Sequence, residues 1–256
     1  MLKKQVKLLP LFVILFSFLL PCSLKAQQEY IDTTYFIPMA HATFAVQFPD
    51  GDLKDRFKTN MNVGGGFSIK TTKNIIFGIK GSFMWNGSIK ENDILKDITT
   101  VDGYVIDKEG RLTSVFLEER GFTGFLTFGK IFNKFGFNQN SGILTTFGAG
   151  FMQHKIRIAF KDEITNLSDE YKKGYDRLSN GPAFNAFVGY IFLSKNRLVN
   201  FFGGFEATMA FTKNRRGFNF DTMSEDNDLR NDLLYSIRVG WIIPFNKRTT
   251  REYYYY

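Results

Sequence analysis

His41 and His154 are the only histidines of the chain and Cys22 its only cysteine. Side chains that do most nucleophilic and acid–base chemistry are therefore scarce. A hydrolytic or acyl-transfer site needs a histidine within reach of a serine or carboxylate. His154 precedes the acid-rich stretch KDEITNLSDEYKKGYDRLSNG, residues 161–181, and folding of that stretch would have to supply its partner. VGGGFS at 63–68 lacks the strand, loop and helix of a phosphate-binding loop, and reads as strand glycines making room. No metal-ligand cluster stands out, and no cofactor is expected. Three charges stand alone among apolar and small residues: Lys80, Glu206 and Arg238.

The beginning of the chain, MLKKQVKLLPLFVILFSFLLPCSLKAQQ, has a basic start, an apolar run and a small residue at its end. The run is shorter than the roughly 20 residues that span a bilayer as a helix, so residues 1–26 read as a cleaved export signal. Cys22 follows Pro21 where acylated signals carry a small residue, and reads as a bystander in the signal rather than a lipid anchor. A cut after Ala26 leaves no cysteine for disulfide or thiol chemistry. The formal charge of +8 also falls: without the four lysines of the signal, 29 Lys and Arg face 25 Asp and Glu, a net of +4. Such a mild excess gives no reason to expect a nucleic acid partner. No later segment is apolar enough for a transmembrane helix.

The remaining chain alternates with period two, as strands with two unlike faces do. One face carries Phe44, Val46 and Phe48 in the first such segment, and Phe77, Ile79, Phe83 and Trp85 in the third. The last, LLYSIRVGWIIPF, sets Tyr235, Ile237, Val239, Trp241, Ile243 and Phe245 against Ser236, Arg238 and Gly240. Eight such segments, each of about ten residues, fit tilted membrane strands. Long polar connections (49–60, 88–113, 161–180 and 213–231) alternate with shorter ones (71–74, 133–141 and 193–197), as in a meander that begins in the periplasm.

Period alone does not separate a membrane barrel from a soluble one of lipocalin type. Aromatic residues toward the ends of the greasy faces, Trp85, Tyr190, Tyr235 and Trp241, favour an apolar exterior with two interfacial girdles. Small and polar residues on the other faces suit the narrow interior of an eight-stranded closure, which satisfies the backbone in hydrocarbon. On that reading His41 lies inside near the periplasmic end and His154 near the outer end, too far apart to cooperate. Glu206 and Arg238 reach a similar height on adjacent strands. With Lys80, and with Asn62, Asn200 and Ser82, they form a paired lumen network that plugs the bore.

Arg238-Val239-Gly240-Trp241-Ile242-Ile243-Pro244-Phe245 resembles the terminal assembly signal of Gram-negative outer-membrane proteins, with Gly240 two residues after the polar Arg238 and Ile243 and Phe245 at the last alternating positions. The whole mature chain resembles the small eight-stranded outer-membrane barrels, OmpA-like and OmpX-like, often called porin-like. That resemblance implies an all-β, eight-stranded antiparallel up-and-down transmembrane β-barrel at 38–245, preceded by a periplasmic segment at 27–37. It implies an integral location in the cell outer membrane, with outer-membrane lipid and the barrel assembly machinery as partners. The chain departs from it in running on through 246–256, NKRTTREYYYY. Tyr253, Tyr254, Tyr255 and Tyr256 offer contact area at low entropic cost, so this periplasmic tail is expected to dock on a periplasmic or outer-membrane protein. The function expected is non-enzymatic: envelope structure, or surface and periplasmic interaction, including a place in a secretion or assembly complex. The alternatives are a lipid-modifying enzyme and a narrow porin-like channel.

Overall fold

The computed structural model describes residues 34–106, 109–160, 168–194 and 199–245. The export signal with Cys22, most of the segment 27–37 and the tail 246–256 with its four tyrosines lie outside the described residues. Eight long strands follow one another: β1 (Ile37–Gly51), β2 (Asn60–Lys70), β3 (Ile75–Asn86), β4 (Leu112–Phe132), β5 (Gly142–Phe160), β6 (Ser179–Leu193), β7 (Asn200–Asn214) and β8 (Leu229–Pro244). Each pairs antiparallel with its sequence neighbour. One further pairing closes the ring, β1 with β8, from Met39↔Pro244 to Gly51↔Asp232; β3 and β4, though separated by a long connection, pair from Ile75↔Lys130 to Asn86↔Glu119. The result is the closed, all-β, up-and-down barrel expected. The first strand begins at Ile37, one residue earlier than the sequence suggests.

Closure sorts the two faces of every strand. The bulky alternating residues point outward: Leu126, Phe147 and Phe205 are 69, 66 and 67 % exposed, whereas Ser236, Arg238 and Ile242 on the other face of β8 are buried. Trp85 and Tyr235 lie toward the end that carries the long connections, Trp241 and Tyr190 toward the end with the short ones, with an apolar waist between them. Among the described residues no helix is long and apolar enough to cross a membrane, which says nothing of strands.

Two features differ from the sequence reading. First, β4 starts at Leu112, ten residues before Phe122, where the alternation becomes legible. The run Glu118-Glu119-Arg120 conceals it: Glu118 and Arg120 lie outside and bond each other at 2.6 Å, while Glu119 points in and accepts from Asn60 Nδ2 at 2.8 Å. Second, the interior is not uniformly small and polar. Ile37, Met39, Ile131, Ile191 and Ile242, with their neighbours, fill the end with the short connections. Met84, Phe125, Met152 and Leu234 join Leu53, Phe57 and Ile89 from the long connections to fill the other. Inward apolar side chains gain from leaving water as those of any core do, because an eight-stranded bore is filled by its own side chains.

The inward face also shows what Gly240 does locally. It stands opposite Phe202 on β7, and a Cβ built on it would lie 2.3 Å from the Phe202 ring. Gly203, whose Cβ would meet nothing nearer than 3.6 Å, faces the other way. Gly240→Ala is expected to destabilise the barrel by about 1–3 kcal/mol through overpacking and Gly203→Ala to leave it nearly unchanged. The urea midpoint, read from the shift between folded and unfolded bands on unheated gels, checks the pair.

Candidate functional site

Between the two apolar fillings lies a polar layer built around Glu206. Its register on β7 sets it opposite Ser236, two residues from Arg238 on β8. Arg238 donates from Nε and Nη2 to Glu206 Oε1 at 3.0 and 2.7 Å, and from Nη1 to Thr43 Oγ1 on β1 at 3.0 Å. Lys80 reaches the same carboxylate from β3, donating to Glu206 Oε2 at 2.5 Å and to Asn185 Oδ1 on β6 at 2.7 Å. Asn185 in turn donates to Thr208 at 2.9 Å. In the ring of eight strands β3 stands four places from β7 in either direction. The Lys80 side chain therefore crosses the bore and ties opposite walls together.

The structure thus brings together Lys80, Glu206 and Arg238, but not the neighbours expected for them. Asn62 donates to Ser82 at 2.9 Å, and Ser82 bonds Thr123 at 2.8 Å, along the β2–β4 wall. Asn200 accepts from the Ser194 backbone at 2.7 Å, at the short-connection rim. The bore is narrow enough for a lysine to meet the far wall, where a carboxylate outcompetes neutral groups beside it. Of the expected terminal signal, Gly240 faces inward against Phe202, Ile243 faces outward, and Phe245 stacks on Phe67 at 6.3 Å while its backbone N–H donates to Pro38 at 2.8 Å.

Below the polar layer, His41 lies edge-on to Phe202 at 5.8 Å, and Phe202 edge-on to Phe187 at 5.7 Å. Gly66 leaves the space for the His41 ring, since a Cβ there would fall 2.8 Å from Nε2. His154 has a partner other than the one expected. Its acid comes not from 161–181 but from β8: His154 Nε2 and Asp232 Oδ2 are 2.9 Å apart, and Thr212 donates to the same oxygen at 2.6 Å. Both side chains of the pair are at most 1 % exposed, under the edge of Phe57. Among the described residues no group of three or more His, Cys, Asp or Glu could hold a metal.

Over the far end the long connections fold into a cap. A helical turn, α1 (Leu53–Arg56), buries Leu53 and Arg56 in the mouth. A second, α2 (Asp169–Lys172), is capped by the Ser168 side chain, which accepts from Tyr171 N–H. Four arginines from four connections and strand ends meet four carboxylates. Arg177 holds Glu91 at 2.7 Å and also Asp221, Arg216 holds Asp176 at 2.6 Å, and Arg230 holds Asp226 at 2.7 Å. Arg56 sits 3.6 Å from Asp226 and 3.9 Å from Glu91. Tyr171, Tyr175 and Phe220 pack ring to ring beside them, and burial, with the Tyr171 hydroxyl, raises the Tyr175 pKa. Residues 168–181 thus belong to the cap, but the cap as a whole was not legible in the sequence. Its signal would have been the match between scattered arginines and acids in separate connections.

No protein-family description matches the chain, and no curated protein does. Solved structures do. Neisserial surface protein A matches with 10 % identity over 81 % of this chain and 97 % of its own, at a TM-score of 0.38. Ail, the attachment invasion locus protein of Yersinia pestis, matches with 10 % identity over 82 % and 100 %, at 0.39. OprG of Pseudomonas aeruginosa matches with 12 % identity over 83 % and 97 %, at 0.35. These are small outer-membrane β-barrels. The likeness is one of fold, which the strand pairing establishes on its own.

Asp226 ties the cap to the barrel rim. Burial by itself would raise its pKa, but hydrogen bonds from Arg230, Asn214 and Asn219 outweigh it and hold the carboxyl at about 2. A depressed carboxyl contributes stability that is complete above about pH 4 and disappears as pH falls through the folded value. The connection 215–228 is therefore expected to resist pepsin at pH 4 and to be cut as the pH approaches 2. Asp226→Asn should be cut at both.

Proposed function

We propose that the chain is an integral outer-membrane barrel with a closed bore and no catalytic role, acting in envelope structure or as an interaction partner at the surface or in the periplasm. The observation that carries this reading is the pairing of an apolar outer waist with a bore tied shut from wall to wall by Lys80, Glu206 and Arg238. An apolar exterior with all strand edges paired suits lipid and has no advantage in water. Apolar fillings above and below the tie support a closed bore and count against a channel. The burial of His154 and Asp232 counts against a lipid-modifying enzyme.

Interaction at the surface has support of its own. Beyond the outward charges Glu118, Arg120 and Arg157, β4 and β5 rise further, and Tyr104–Ile106 adds a short strand against Leu112–Ser114. This projection exposes Ile106, Leu112 and Phe116, each more than half exposed. Apolar side chains beyond those charges support contact with protein rather than lipid. The tail from Asn246, with Tyr253–Tyr256, is proposed as a second contact on the opposite side. A role as a subunit of a secretion or assembly complex would use both.

In membrane fractionation the protein is expected with the outer membrane, migrating as a heat-modifiable band. In planar bilayers it is expected to add no steady conductance. Recovery in the soluble fraction would overturn the membrane reading, and an ohmic current the closed bore. Removing 246–256 is expected to deplete specific proteins from crosslinked native membranes while leaving the band shift intact; an unchanged set would end the tail proposal.

A further inference from the structure

The two charged assemblies of this barrel are balanced differently. In the cap, four arginines face four carboxylates. In the bore, Lys80 and Arg238 share the single carboxylate of Glu206. Their side chains are 17, 5 and 2 % exposed, so little water screens the surplus charge. The next acids along the bore, Glu119 and Asp232, are engaged by Asn60 and by His154 with Thr212. A buried charge without a counter-charge is strongly unfavourable.

A cavity of about 70 Å³ adjoins this layer, and Lys80, Arg238, Glu206 and His41 all line it. One water needs only about 10–15 Å³, so a halide-sized ion with accompanying water fits. The other polar lining is hydroxyl: Thr43, Ser68, Thr127 and Thr146. Ser68, Thr127 and Thr146 make no side-chain hydrogen bond among the described residues, and hydroxyls can turn to donate. Arg238 uses three of its five N–H groups on Glu206 and Thr43, and Lys80 two of its three on Glu206 and Asn185. The cavity is thus bordered by donors with capacity left, beside a surplus positive charge, and the lone carboxylate of its lining, Glu206, already holds both cations.

We infer that the cavity beside Lys80 and Arg238 binds a small monovalent anion of halide size, which completes the charge balance of the bore. The ion acts as a structural counter-charge, held from β3 and β8 and by the hydroxyls of β2, β4 and β5. The inference deepens the closed-bore reading and rests on it.

Crystals of the purified full chain grown in bromide test it directly. The expected result is an anomalous peak inside the cavity, lost in Lys80→Met, where Arg238 and Glu206 remain as a neutral pair. In solution, replacing chloride by gluconate at constant ionic strength should lower the urea midpoint of the wild type and leave that of Lys80→Met unmoved. No bromide peak in the wild-type cavity, or an equal gluconate response in both proteins, would overturn the anion site. The wild-type crystal decides even if the variant does not fold. A conducting wild-type barrel would instead defeat the closed bore, so the two failures are distinguishable.

Discussion

Closure of the sheet is the constraint from which the rest follows. Once β3 pairs with β4 and β1 with β8, every barrel strand has two neighbours and no edge is left. A ring of only eight strands also fixes a bore about as wide as the side chains that point into it. Those side chains must then fill it, and any polar group among them must find its partner inside. The apolar fillings, the crossing lysine and the buried histidine all answer that requirement.

The interior works as a stack. Apolar layers lie above and below the ion pairs, and low-dielectric surroundings strengthen such pairs and make any unmatched charge more costly. Lys80 has particular leverage because it reaches across rather than along the wall. Pairs such as Asn62 and Ser82 join neighbouring strands that already share backbone hydrogen bonds. The contact from Lys80 to Glu206 joins strands that share none. It therefore fixes the shape of the cross-section.

At the end with the long connections the same logic is carried out with charge. The segments there have too few apolar residues to pack alone. Leu53, Ile89, Ile94 and Leu95 anchor them in the mouth, and the arginine–carboxylate pairs set their mutual positions. Partly buried, charge-assisted and often bidentate contacts of this kind are the stronger sort. The cap is thus an extension of the interior.

The sequence by itself determined which face of each strand is which, because side-chain alternation is a property of neighbouring residues. It also marked Lys80, Glu206 and Arg238, since a charge inside an alternating strand is conspicuous against small and apolar neighbours. The Glu118-Glu119-Arg120 run defeated it, because outward and inward charges in succession erase the contrast on which periodicity depends. Only the tertiary structure decided that Lys80 meets Glu206 rather than Asn62 or Asn200, that His154 finds Asp232, and that Arg56 and Arg230 share Asp226. Those choices depend on the diameter of the closed ring and on which strand ends meet over its mouth. No local pattern encodes distances between residues brought together by closure.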